Sequence, residues 1–215
     1  MTDSAAADPK MNLSNSVGTF AALVAAGTPA PGGGSVSAYC GMLAASLGQM
    51  VCNLSIGKPK YVEVEPRLKG IRSALEQLGA RLLLLIGEDA DSFEAVLGAY
   101  RLPKESDAQK THRTAQIQAA LRHAVEVPME TAQCSFDVLG LLRELADIGN
   151  PNALSDVAVG AQLAQTAIRG ASYNVGVNLE SISDREASEK TREEISSLIE
   201  KSQNTADQVE AKLRR

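Results

Sequence analysis

Tryptophan is absent from the 215 residues, and aromatic side chains make up only 3% of them. That scarcity argues against a β-sandwich, whose strands draw on aromatic and β-branched residues. Alanine, leucine, glycine and serine fill the space instead and favour closely packed helices. A basic excess is missing too: 21 Lys and Arg stand against 26 Asp and Glu, a net charge of −5, so no nucleic-acid backbone is expected as a partner. Cysteine is sparse and odd in number: Cys40, Cys52 and Cys134. If Cys40 and Cys52 share a helix they stand roughly 18 Å apart, too far for a disulfide. Reduced, buried thiols in a cytoplasmic protein are the expectation. His112 and His123 have no cysteine or carboxylate at ligand spacing, so no metal site is expected.

Charge is also absent from one long stretch. No Asp, Glu, Lys or Arg occurs between Lys10 and Lys58, and Val36 to Ile56 is about as long as a bilayer span, roughly 20 residues. Small residues Ser37, Gly41, Ala45, Gly48 and Cys52 recur along it, as in packed membrane helices. Ser46, Gln49 and Asn53 would meet lipid unpaired, and no second span follows. The stretch therefore reads as the buried central helix of a multi-helix bundle, with no membrane partner. The first ten residues, MTDSAAADPK, lack an apolar run and read as a disordered tail rather than a signal peptide, leaving residues 11–215 as one domain.

The patterning predicts helices at 13–26, 35–56, 61–100, 106–145, 155–182 and 185–213, with no strand. Gly27 to Gly34, Gly57-Lys58-Pro59, Leu102-Pro103 and Gly149-Asn150-Pro151-Asn152 separate them. Pro66 and Pro128 fall inside helical patterns and mark a first turn or a kink. The last helix carries Ile195, Leu198, Ala206, Val209 and Leu213 on one face, to dock on the body or on a second subunit.

What remains is chemistry-bearing. In TPAPGGGSVSAY, three glycines precede a helix for which Ser35 is the expected N-cap. Either the glycines form a tight connection, or Gly32, Gly33 and Gly34 present backbone N–H groups to a ligand. Ser35, Tyr39, Met42, Ser46, Gln49 and Asn53 then form one mostly polar line on an uncharged helix, lining a wet cavity or a hydrogen-bonded seam. In the third helix, Asp89 stands on the apolar line of Ile71, Leu75, Leu78, Leu82 and Ile86. A carboxylate there is a proton-transfer group or a counterion, or else an ion-pair partner of Lys58, Lys60 or Lys104. Lys104, just past Leu102-Pro103, is placed to reach back over the same pocket. In the fifth helix Asp156, Gly160, Ala167, Asn174 and Asn178 share a flank. Asp156 and Asn174 lie roughly 27 Å apart, so the ligand is long, the helix breaks, or two subunits supply the two ends. Gly57-Lys58 lacks the spaced glycine of a phosphate-binding loop, which sets nucleotide hydrolysis aside.

Four blocks carry a resemblance: TPAPGGGSVSAY, MVCNLSIGKPKY, EDADSFEAVLGAYRLPK and GNPNALSDVAVGAQLAQTAIRGASYNVGVNLESISD. In this order, from Ser14 to Asp184, the chain resembles the cyclodeaminase/cyclohydrolase family, with Pro59 standing where the family pattern usually has lysine. The resemblance implies an all-α homodimer holding a tetrahydrofolate derivative in an elongated cavity, with no cofactor beyond that substrate. It implies hydrolysis of a methenyl bridge, or closure of a formimino group with loss of ammonia. A chain without a formiminotransferase domain favours the first. A non-catalytic folate- or partner-binding dimer is the alternative of another class. On this reading Asp89, Asp156 and Lys104 are the catalytic candidates. Gly32, Gly33, Gly34, Ser35, Gln49, Asn53, Lys58, Lys60, Tyr61, Asn174 and Asn178 are the substrate-binding ones.

Overall fold

The computed structural model describes residues 17–214. The expected tail at 1–10 and the predicted helix start at residue 13 lie outside the described residues. Among these, six α-helices and two short 3₁₀ turns account for the regular structure, and no strand occurs. The helices are α1 (Val17–Ala25), α2 (Gly33–Asn53), α3 (Glu65–Tyr100), α4 (Asp107–Ile148), α5 (Leu154–Leu179) and α6 (Arg185–Leu213). The all-α expectation holds, and each predicted helix is present with its ends shifted by a few residues.

The centre of the bundle is α2, which packs against α3, α4 and α5, while α6 lies over α4 and α5. It can be surrounded because its inner face is small: Ala38, Ala44, Ala45, Val51 and Cys52 are wholly buried. Leucines from the neighbours fill the room this leaves. A Cβ on Gly48 would meet Leu75 Cδ1 at 2.6 Å, so α2 and α3 approach more closely there than two side chains permit. α2 is the helix long and apolar enough to span a bilayer by length and composition, but half of its apolar window is buried against other helices. A core helix meets the same description. α6 docks its Ile195, Ala206 and Val209 on the body, which decides between the two surfaces left open for it. By contrast, α1 buries none of its residues, touching the bundle through Phe20, whose ring lies 5.1 Å from that of Tyr39.

Helix ends follow local chemistry. Ser106 and Gln109 form a reciprocal capping box at α4, Asp184 Oδ1 accepts the Ala187 N–H at α6, and Pro66 sits in the first turn of α3. α5 starts at Leu154, one residue before the predicted helix start at 155, after a 3₁₀ turn (Pro151–Ala153) held by Asn150 Oδ1 accepting the Asn152 N–H.

α4 continues through Pro128. Proline has no N–H, so the carbonyl of Ala124, four residues earlier, loses its helical donor. Asn178 of α5 replaces it, its Nδ2 donating to Ala124 O at 2.7 Å. An unmade bond to a buried backbone acceptor costs about 1–3 kcal/mol, so Asn178→Ala is expected to destabilise the fold within that range. In a Pro128→Ala background, residue 128 again supplies an N–H, and the same substitution becomes nearly neutral. Urea denaturation of the four proteins of this cycle measures the coupling.

Candidate active site

The first turn of α2 starts without a side-chain cap. Gly32 takes the N-cap position in an extended conformation (φ −124°, ψ −152°) and offers no acceptor. Ser35, expected as the cap, lies instead at the third helical position. Because the glycines already enter the helix, its hydroxyl points outward to another element. That element is α3: Ser35 Oγ donates to Asp89 Oδ2 at 2.8 Å, and the Ser35 N–H also donates to the carboxylate. Asp89 thus caps α2 from a different helix, and its charge faces the positive end of the helix dipole.

Gly34 makes this approach possible. A Cβ at residue 34 would have all three atoms of the Asp89 carboxyl group within 2.8 Å, so a side chain there would expel the carboxylate. Gly34 and Ser35 are buried and Asp89 is half-buried. Burial pushes the Asp89 carboxyl above the usual aspartate range, and the two hydrogen bonds from Ser35 pull against it without prevailing. Among the described residues no lysine or arginine pairs with Asp89, so it is not the ion-pair partner of Lys58, Lys60 or Lys104.

α5 brings the Asn174 Nδ2 to within 3.9 Å of the Cβ position of Gly33. Asp89 and Asn174 therefore flank two consecutive residues at the mouth of α2, within about 12 Å of one another given the ~3.8 Å spacing of neighbouring Cα atoms. Gly32, Gly33, Gly34, Ser35, Asp89 and Asn174 form one site. Asn178, a turn further along α5, has its Nδ2 committed to the α4 carbonyl at Pro128.

The other sequence candidates lie elsewhere. α2 has 21 residues, which places Asn53 and the turn beyond it about 30 Å from the Asp89 end. There Lys58 and Lys60 are exposed, Tyr61 is buried with the Lys60 ammonium 5.6 Å from its ring centroid, and Asn53 Oδ1 accepts from Arg72. Gln49, one turn before Asn53, donates to Leu75 O at 3.4 Å. The lower half of the polar line is thus a seam to α3, not the wall of a cavity. Asp156 belongs to this far end, roughly 27 Å from Asn174 along α5. Lys104 is exposed on the turn after α3, and the eleven residues from Asp89 to Tyr100 alone span about 16 Å. Among the described residues no hydrogen bond or ion pair joins Asp156 or Lys104 to Asp89.

A groove of about 650 Å³ between α3 and α4, lined by Arg67, Arg81, Phe136, Leu141 and Glu144, includes none of the sequence-derived candidates. Among the described residues no group of three or more His, Cys, Asp or Glu is arranged to hold a metal ion. The thiols of Cys52 and Cys134 are pushed up to about 11 by burial and are unsuited to act as nucleophiles near neutral pH. Sequence reasoning missed Ser37 and Gly170, which fix the spacing of α2 and α5 beneath Asn174. Each is one small residue among many, and only the pairing of the two helices singles them out.

The raised carboxyl of Asp89 has a definite consequence for stability. A carboxyl whose folded value lies above its unfolded one favours the folded state fully only while protonated, below the unfolded value. That contribution is lost as pH rises through the folded one. Asp89→Asn, which keeps an acceptor for Ser35, is therefore expected to raise Tm at neutral pH. The gain should vanish below the ordinary aspartate range, as read by thermal melts across pH.

Comparison with known proteins bears on the chain as a whole. A family profile described as formiminotransferase-cyclodeaminase matches residues 16–197. A methenyltetrahydrofolate cyclohydrolase from Methylorubrum extorquens is 41% identical over 181 residues, covering 84% of this chain and 87% of that protein. A formimidoyltransferase-cyclodeaminase from Rattus norvegicus is 36% identical over 194 residues, which cover 90% of this chain and 36% of the longer relative. Among solved structures, a formiminotetrahydrofolate cyclodeaminase from Thermotoga maritima superposes with a TM-score of 0.81 at 32% identity, covering 94% of this chain and 96% of that one. With its sequence, its helices and the spacing of its blocks in agreement over most of its length, the chain belongs to the formiminotransferase-cyclodeaminase family.

Proposed function

We propose that the protein is a methenyltetrahydrofolate cyclohydrolase of the cytoplasm, converting 5,10-methenyltetrahydrofolate to 10-formyltetrahydrofolate. The observation that carries this reading is Asp89: a half-buried carboxylate with no basic side chain paired to it among the described residues, held against the first turn of α2. The substrate supplies the missing positive charge, since its bridging carbon lies between two nitrogens in an amidinium cation. A carboxylate opposite that cation stabilises it and is placed to take a proton.

The reaction then balances on this one group. The oxygen of water bonds to the bridging carbon as one of its protons passes to Asp89. The bond from that carbon to N5 breaks, N5 takes the proton from Asp89, and the proton of the new hydroxyl leaves to solvent. The carbon is already electrophilic, so the step asks for no redox or metal cofactor. The 41% identity to a cyclohydrolase over most of both chains supports this direction. A second reading, formiminotetrahydrofolate cyclodeaminase, is favoured by the match to the Thermotoga maritima structure. It passes through the same bridged cation, with ammonia leaving where water enters.

The protein is read as a homodimer. The outer face of α2, with Tyr39, Cys40, Leu43 and Met50, is uncharged and partly exposed, and the neighbouring α1 exposes Val17 and Val24. An uncharged helix lacking a cover over part of its surface is an expected subunit interface. Light scattering is expected to give twice the chain mass at micromolar concentration, and Leu43→Glu to give the monomer. A monomeric wild type would remove the dimer from the reading.

Loss of the methenyl absorbance tests the activity directly. Purified protein is expected to accelerate it and Asp89→Asn to abolish the acceleration, with formiminotetrahydrofolate run in parallel to separate the two reactions. The acidic limb of the rate profile should lie above the ordinary aspartate range. It should move to higher pH in Ser35→Ala, which removes a hydrogen bond that stabilises the charged form. Wild type that accelerates neither reaction would end both readings.

A further inference from the structure

The leucine packing of α3 stops just short of Asp89. Leu68, Ile71, Leu75, Leu82, Leu85 and Ile86 are buried, but from Gly87 to the end of the helix at Tyr100 only Ser92 and Ala99 are, and both are small. None of residues 87–91 is buried, so the turn carrying the carboxylate is placed by polar bonds more than by apolar contact. Ser35 ties it to α2, and the Ser92 hydroxyl donates to the Asp89 backbone carbonyl at 2.8 Å. A further tie runs to α4, and Arg81 makes it.

Arg81 stands in the well-packed part of α3, next to Leu82, and its guanidinium reaches two turns along the helix to Glu88 in the loosely packed part. Nη1 and Nη2 donate to the Glu88 carboxylate, the second at 2.9 Å, while Nε and Nη2 donate to Glu130 of α4 at 2.6 and 2.7 Å. Each carboxylate takes a two-pronged fork, which fixes direction as well as distance. With all three side chains a third or more exposed, such pairs add little to stability. Their effect is on geometry. Neighbouring residues of a helix project about 100° apart, so Glu88 anchored toward α4 and Asp89 bonded to α2 hold one turn in two directions. Without the first anchor, a roll of about 10° moves a carboxylate lying roughly 5–6 Å off the helix axis by about 1 Å, and a misplacement of that size costs on the order of a hundredfold in rate. We propose that Arg81 is a positioning residue of the reaction: by bridging Glu88 and Glu130 it fixes the α3 turn that carries Asp89. The inference rests on the reading of Asp89 as the proton-transfer group and adds to it the residue that holds that group in place.

The test uses the full chain acting on methenyltetrahydrofolate. Arg81→Met removes the bridge and keeps an unbranched stem. Glu130→Ala cuts only the tie to α4 and leaves Glu88 its counterion, so no charge is released beside Asp89. Glu130→Gln still offers Arg81 an acceptor. Arg67→Met is the control, since it breaks the other α3–α4 fork, from Arg67 to Glu144, about 33 Å back along α3 from Asp89. Arg81→Met is expected to lower kcat by roughly ten- to a hundredfold with a smaller change in KM, as for an interaction realised in the transition state. Glu130→Ala should act in the same direction, Glu130→Gln should recover part of the loss, and Arg67→Met should keep the wild-type kcat. Wild-type kcat in Glu130→Ala would overturn the proposal, whether Arg81→Met is slow, in which case the freed charge of Glu88 is the cause, or fails to fold. Equal losses in Arg67→Met and Glu130→Ala would overturn it too, by showing a general loosening of α3 against α4. Wild type inert toward methenyl and formimino substrates alike would instead remove the reading beneath it.

Discussion

A single carboxylate pressed against the first turn of an uncharged helix sets the terms for the rest of this structure. Asp89 supplies the acceptor that Gly32 cannot, and through Ser35 it joins α3 to the start of α2. The same carboxylate is held short of solvent with no cation to balance it, an arrangement that burial disfavours. A core designed for stability alone would place an asparagine there. The retained charge has the positive end of the α2 dipole opposite it and no basic side chain paired to it among the described residues, an arrangement with room for the amidinium substrate proposed above.

Sequence constraints around the site follow from that contact. Gly34 has to be bare because the carboxyl group occupies the space a side chain would take, and Gly170 has to be bare because Ser37 does. Further along α2, Gly48 gives way to Leu75 in the same manner. The lack of charge and of bulk from Gly33 to Asn53, which in the sequence alone suggests a membrane span, is the condition for a central helix that three others can approach closely.

The helices were legible because their breakers are strong and their apolar lines long. Asp89 was legible for a related reason: it interrupts the apolar row from Ile71 to Ile86, and a carboxylate in such a row has to be accounted for. What could not be read was which helix end meets which. Lys58, Lys60 and Tyr61 stand close to α2 in sequence and sit at the end of it remote from Asp89. Asn174 is 85 residues from Asp89 and shares its site. The bond between Asn178 and the Ala124 carbonyl orphaned by Pro128 joins positions 54 apart by a rule that periodicity does not encode. Asn178 therefore read as a ligand group when part of it is a repair to a helix. Ser35 misled in a milder way, since serine before an apolar run is the ordinary sign of a cap, and here the helix starts two residues sooner.

The division of α2 into two ends bears on how a long substrate can be held. The exposed Lys58 and Lys60 lie about 30 Å from the Asp89 end of α2, beyond the reach of a compact ligand held there. Between the two ends, Ser46 donates to the Met42 carbonyl of its own helix and Gln49 to the Leu75 carbonyl of α3. The helix dipole, the half-buried carboxylate of Asp89 and the neutral amide of Asn174 all lie at the head of α2. Any contribution from the distant end is to affinity and not to the reacting carbon, because electrostatic help at that range is screened by solvent within about one Debye length, ~8–10 Å.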